Sequence, residues 1–404
     1  MLRRGLASGA AAMGLVCFAG ASLATDPEPS SVAASMQRIF ASLQLLLPAS
    51  LDSEEFRDPS RAAAIRGALA EISTSAAAVA EHAKSSDQGV GYLGRSLSAE
   101  ARATADLFER GAFESAQFSI LQMTDYCVEC HSRASIRNDS PLSKGFVTQE
   151  RFAALGSEER ARVQLATRDF AGGLDTLERL FAAREVAPQE LRGALTSYLV
   201  ISIRVKGDYA RPAATLRTFA ERPDLPAHMR LDALRWIDAL GSLSKRFRSS
   251  SPPRIEDAVE VLSEAREVTR FPSDRQALVH YIVATSLLQR VLEKPATDAR
   301  RARAYYLLGV AELRIGRSYW LGLPGFLLET AIRLDPGGDA AQQAYALIEE
   351  ETFYTYSLGV SQGGVVEARK VPELPLDVER KLADLRRTIE SARGERGPDP
   401  VRQR

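Results

Sequence analysis

At 404 residues, with 45% hydrophobic and 26% charged side chains, the chain is long enough for two or three ordinary domains and too apolar to be disordered over most of its length. Its 52 basic and 52 acidic residues cancel, which removes the electrostatic case for nucleic acid as a general partner. The charge is unevenly spread: residues 26–139 hold 16 Asp/Glu against 10 Lys/Arg, so the N-terminal unit is acidic and suits a basic partner.

The chain opens Met1-Leu2-Arg3-Arg4, continues as an apolar small-residue run over 5–24, and reaches Thr25-Asp26-Pro27 after a cleavable Ser22-Leu23-Ala24. This pattern predicts a signal peptide over 1–24 and a periplasmic mature chain. An uncleaved anchor is the competing reading, because the run approaches the ~20 residues needed to span a bilayer; its Gly, Ala and Ser content makes it weakly hydrophobic. No later segment has the length and apolarity of a span. Removing the signal removes Cys17 and leaves Cys127 and Cys130 as the cysteines of the mature chain.

Four helices are predicted next. Residues 31–47 carry Met36, Ile39, Phe40, Leu43 and Leu47 on one face and end at Pro48; residues 60–84 are Ala-rich; residues 98–110 follow a Gly-containing turn. In the fourth, Phe113, Gln117, Ile120, Thr124, Cys127 and His131 recur at alternating spacings of four and three, one stripe of a helix.

That helix ends in Tyr126-Cys127-Val128-Glu129-Cys130-His131, which contains Cys-x-x-Cys-His, the attachment signature of c-type haem. Thiols at i and i+3 share a helix face and can meet two vinyl groups along one haem edge, while an imidazole at i+4 can turn beneath the iron. A zinc site would need a second ligand pair, and the mature chain offers only His82, His228 and His280 far apart in sequence. A thioredoxin-like disulfide would need a strand before the motif, where the pattern is helical. The expected cofactor is one covalent haem c on Cys127 and Cys130, with His131 as proximal iron ligand.

Four helices with this motif at the end of the fourth resemble the cytochrome c′ and cytochrome c-556 family over roughly residues 30–135. Ordinary small cytochromes c carry the motif near their first helix and use a methionine downstream, whereas here no methionine follows His131 until Met229. The resemblance implies a four-helix-bundle c-type cytochrome domain over 25–138. In the family's low-spin branch the sixth ligand is a methionine of the first helix, a place and type matched by Met36; in the c′ branch the iron stays five-coordinate, and Met36 is then core filler. The family places a basic residue four positions after the haem histidine. This chain has Ser135 there, flanked by Arg133 and Arg137, either of which can serve a haem propionate or simply be solvated.

Residues 139–149 continue a stretch rich in turn formers and read as a linker. Beyond it, 150–393 is helical in pattern and internally repetitive. Arg168-Asp169-Phe170-Ala171 superposes on Gly207-Asp208-Tyr209-Ala210 with a shift of 39 that also aligns Leu177 with Leu216 and Leu180 with Phe219. A third unit falls near 255–268. The last, with Leu308-Gly309, Ala311, Ile315-Gly316, Ala331 and Asp335-Pro336, resembles a tetratricopeptide repeat, apart from about three residues inserted after Gly316 and Pro324 at a position where that family places a small helical residue. Trp236, Tyr305, Tyr306, Tyr319 and Trp320 are expected between helices, and 394–404 as a disordered tail.

The expected fold is therefore all-α, a four-helix bundle followed by an α-solenoid of tetratricopeptide-like helix pairs. The expected function is one-electron transfer by an exported mono-haem cytochrome, with the repeats docking a redox partner or periplasmic complex, or else packing on the haem domain and shaping access to it. Two alternatives are a five-coordinate haem that binds a small gas molecule and a haem-bearing scaffold. No catalytic triad or multi-carboxylate site is visible, which favours a carrier over a catalyst. The sequence leaves dimerisation open.

Overall fold

The computed structural model describes residues 31–83, 87–133, 138–148, 150–247, 252–271, 274–317, 320–359 and 374–396. The signal-peptide reading, Arg137, Tyr319 and 397–404 of the expected tail lie outside the described residues, whereas its first residues, 394–396, end a helix. Regular structure among the described residues is helical throughout, so the chain is all-α. None of the described helices is long and apolar enough to cross a membrane.

The first part comprises α1 (Ser31–Ser50), a short α2 (Ser53–Arg57), α3 (Ala62–Ala83), α4 (Gln88–Glu109) and α5 (Phe113–His131). Helix α1 runs past Pro48, its predicted stop. A proline this close to the end removes a single helical hydrogen bond, the one to the Gln44 carbonyl, and in the last turn Ser50 Oγ donates to the Leu47 carbonyl at 2.8 Å. Asp52 then caps α2, accepting from the Glu54 and Glu55 amides at 3.0 Å each.

Helix α4 begins ten residues before the predicted start at 98, and Gly89, Gly91 and Gly94 lie inside it instead of forming a turn. Two features account for this. Asp87 accepts from the Gly89 and Val90 amides and nucleates the first turn. The glycines also let α4 approach the Ala-rich α3 closely: a Cβ on Gly94 would lie 3.0 Å from both the Ala76 carbonyl oxygen and Ala80 Cβ. Helix α3 thus packs between α1 and α4, and α5 closes the group against α4 and α1.

The second part continues as α6 (Ser157–Ala166), α7 (Phe170–Ala182), α8 (Arg192–Val200), which passes into a π-turn over Ile201–Val205, α9 (Ala210–Ala220) and α10 (Ala227–Arg246). There follow α11 (Ile255–Val268), α12 (Leu278–Leu292), α13 (Asp298–Ile315), α14 (Leu323–Leu334), α15 (Asp339–Gly359) and α16 (Leu376–Arg396). Pairs such as α6 with α7, α9 with α10, α11 with α12 and α13 with α14 pack against each other.

The 39-residue shift has a structural counterpart. Asp169 accepts from the Gly172 amide at 3.1 Å, and Asp208 accepts from the Ala210 and Arg211 amides at 2.9 and 3.0 Å, so both acids cap the helices they precede. The residues before them share a left-handed backbone, with φ of 66° at Arg168 and 61° at Gly207. Leu177, Leu180, Leu216 and Phe219 are all buried. In the last unit, a Cβ on Gly309 would meet the Leu328 side chain at 2.9 Å and the Pro324 carbonyl at 3.3 Å. Pro324 itself sits in the first turn of α14, where a missing amide proton costs nothing.

The segment expected as a linker is packed. It forms 3-10 turns over Pro141–Ser143, Phe146–Thr148 and Glu150–Phe152. Phe146 meets Phe40 of α1 and Phe152 edge-on at 5.5 and 4.9 Å between ring centroids. One apolar core consequently runs through both parts of the chain, from Ile39 to Ile389. The two parts also meet where Tyr92 of α4 stacks on Phe326 of α14 at 4.4 Å and donates its hydroxyl to the Leu321 carbonyl at 2.9 Å. Trp236 and Tyr305 are buried as expected, whereas Trp320 is half exposed and touches Tyr126 edge-on at 5.7 Å.

Candidate functional site

The last two turns of α5 carry Cys127, Cys130 and His131 onto the wall of a cavity of about 790 Å³, within the ~300–1,000 Å³ range of cofactor pockets. Met36 of α1 lines the same cavity, so the residues singled out as thioether donors, proximal ligand and sixth-ligand candidate converge from two helices. The remaining wall is largely apolar: Ile39, Phe40 and Leu43 of α1, Ala76 and Val79 of α3, Val90, Leu93 and Leu97 of α4, and Tyr126 of α5. Met123 is fully buried in the core and does not line it, whereas His82 borders it at the end of α3. The second part of the chain supplies another wall, Ala166, Thr167 and Arg168 at the end of α6, with Ser140, Pro141 and Leu142 from the packed segment before it.

Both cysteines are free thiols. Burial pushes the Cys127 thiol up to about 12, with Asp125 adding to the effect, and raises Cys130 as well. Burial lowers the His131 imidazole to about 4 and the nearby Arg168 charge reinforces this, against a hydrogen bond to the Ala166 carbonyl. The ring is therefore neutral, as a metal-binding imidazole must be. Its Nδ1 is buried without a hydrogen-bond partner. Among the described residues no group of three or more His, Cys, Asp or Glu side chains is arranged to hold a bare metal ion.

Behind the motif lies a buried ionic network. Glu129, between the two cysteines in sequence, is 1% exposed, and its Oε2 accepts from Arg317 Nη2. Its Oε1 lies 3.8 Å from Nη1 of Arg204, whose Nη2 is 2.8 Å from Oε1 of Glu312 on α13. Arg133, also buried, places Nε 2.8 Å from Asp87 Oδ2. Its guanidinium is thus held by the carboxylate that caps α4, and Arg133 is not among the residues lining the cavity. The guanidiniums of Arg317, Arg204 and Arg133 hold the Glu129 carboxyl below its ordinary range although burial opposes them. Desolvation dominates at Glu312 and raises it. The network ties the motif helix to the π-turn and α13.

Sequence reasoning missed Glu129, Arg204, Glu312, Arg317 and Arg168. Glu129 stands inside the haem motif, between the two cysteines, but no periodicity marks it or the arginines as buried. No protein-family model, curated protein or solved structure matches this chain.

Proposed function

We propose that the chain is an exported mono-haem c-type cytochrome: a four-helix bundle of α1, α3, α4 and α5 holds the haem, and a tetratricopeptide-like solenoid from α6 onward walls its pocket. The observation that carries this reading is the convergence of Cys127, Cys130, His131 and Met36 on one largely apolar cavity of about 790 Å³. The residues fit the group. Two free thiols one helical turn apart can form thioethers along one edge, a neutral imidazole follows them, and apolar side chains from three helices shield the remainder. Bound haem would supply one-electron redox chemistry.

The chain's own residues do the rest. Cys127 and Cys130 would hold the group by thioethers, His131 would ligate its iron, and Met36 is the candidate further ligand. Burial excludes water and disfavours added charge at the centre. Leu142 lines the cavity and is 55% exposed, which marks a rim where the pocket meets solvent and a redox partner can approach. The solenoid's first role in this reading is to close the pocket and clamp the motif helix; partner docking through its remaining faces is the second. Export to the periplasm follows from the N-terminal pattern.

The test is the optical spectrum of the mature protein, oxidised and reduced, with and without carbon monoxide. Sharp reduced bands that resist carbon monoxide, with the resistance lost in Met36→Ala, support a six-coordinate electron carrier. A broad high-spin spectrum that shifts on addition replaces it with a five-coordinate gas-binding haem.

A further inference from the structure

Arg168 combines three properties. It lines the cavity, it is the one Arg or Lys among the described lining residues, and it is the one described non-glycine residue with positive φ. Its backbone explains the last of these. The Arg168 amide donates to the Leu165 carbonyl at 3.1 Å and the Asp169 amide to the Gln164 carbonyl at 2.8 Å, which closes α6 in a Schellman turn with Arg168 at the position that usually takes glycine. The sister unit obeys that preference with Gly207. An L side chain there carries steric strain. Retaining arginine where a repeat equivalent is glycine calls for a compensating interaction of the side chain.

The side chain is held towards the pocket. Nε and Nη2 donate to the Asn138 carbonyl at 3.3 and 2.8 Å, and the Arg168 carbonyl accepts from the Ser140 amide at 2.9 Å, so the segment bearing Leu142 is anchored to this residue. Nη1 has no hydrogen-bond acceptor among the described residues. Asp87, the acid on the cavity wall, is engaged by Arg133. A guanidinium with unused donors at the edge of a largely apolar cavity is suited to a carboxylate of the ligand.

We propose that Arg168, contributed by the second part of the chain, binds a haem propionate and raises the reduction potential of the iron; this rests on the haem reading above. A unit positive charge disfavours the ferric state. At ~10 Å in an effective dielectric near 20 its removal shifts the ferric–ferrous equilibrium by about tenfold, or ~59 mV for one electron.

The experiment uses the full haem-loaded protein and its Arg168→Gly and Arg168→Lys variants, measured for haem retained after denaturation, midpoint potential and thermal midpoint. Glycine suits the left-handed backbone and keeps the main-chain bond from Ser140, so Arg168→Gly is expected to fold, the relief of backbone strain offsetting the two lost bonds to the Asn138 carbonyl. Its potential should fall by the stated amount, and Arg168→Lys should recover at least half of the loss. An unchanged potential in Arg168→Gly, or no recovery with lysine, overturns the assignment while leaving the covalent haem intact. Wild-type protein without covalent haem overturns the haem reading and this proposal together.

Discussion

Replacing Arg204 by methionine tests how the second part of the chain is fastened to the motif helix. The side chains of Arg204 and Glu312 are 0% and 1% exposed and approach to 2.8 Å, with Glu129 Oε1 a further partner at 3.8 Å. Arg204→Met leaves two carboxyls buried. Glu129 keeps Arg317, whereas Glu312, whose carboxyl burial already pushes up, loses the Arg204 guanidinium at 2.8 Å. Breaking a buried pair from one side costs about 3–5 kcal/mol, whereas replacing both members by well-packed neutral groups is close to neutral. The double variant Arg204→Met with Glu312→Gln should therefore recover most of the loss. Urea unfolding followed by far-UV circular dichroism reads both effects. With denaturant slopes of roughly 3 kcal/mol/M the single variant moves the midpoint down by on the order of 1 M. The exposed pair Arg38–Glu71, at 51% and 40% side-chain exposure, is the control, and Arg38→Ala should cost under about 1 kcal/mol. A single variant no worse than that control, or a double variant as unstable as the single, refutes the reasoning.

Gly94→Val should destabilise by about 1–3 kcal/mol through overpacking, because its Cβ would already stand 3.0 Å from the Ala76 carbonyl and Ala80 Cβ; a urea midpoint equal to wild type would show that α3 and α4 can move apart freely. Burial lowers the His280 pKa below its ordinary 6.5, so the unfolded chain takes up a proton more readily than the folded one. Stability linked to this residue is fully present above pH 6.5 and declines as pH falls below it, and His280→Gln should shrink the loss of urea midpoint between pH 7.5 and 5.5. An identical loss in the variant contradicts that linkage.

The class of fold and the motif helix were legible because each rests on local signals. The stripe ending in His131 predicted α5 over the span it occupies, and the boundaries 255–268 match α11. What failed was local evidence overridden by tertiary contacts. Glycines 89, 91 and 94 signal a turn until α3 is known to present alanines for them to meet. The segment around Pro141 signals a linker until Phe146 and Phe152 find their places beside Phe40. At the site, Met36 could be named because the family resemblance points to a methionine of the first helix, and it does line the cavity. Arg168 could not, since neither its left-handed backbone nor its nearness to His131 has a local pattern. The 39-residue alignment of Arg168 with Gly207 was the one available clue, and it acquires meaning only with the backbone angles. The Glu129 network joins residues up to 188 positions apart, a distance at which charge pairing leaves no periodicity to read.

The most direct test of the central claim is whether haem stays on the polypeptide after complete denaturation, when the protein is produced with functional haem-attachment machinery. The account predicts haem absorbance co-migrating with the denatured chain at one haem per molecule, and none in the Cys127→Ala, Cys130→Ala double variant. Wild-type protein that releases all its haem, or never acquires any, would contradict it.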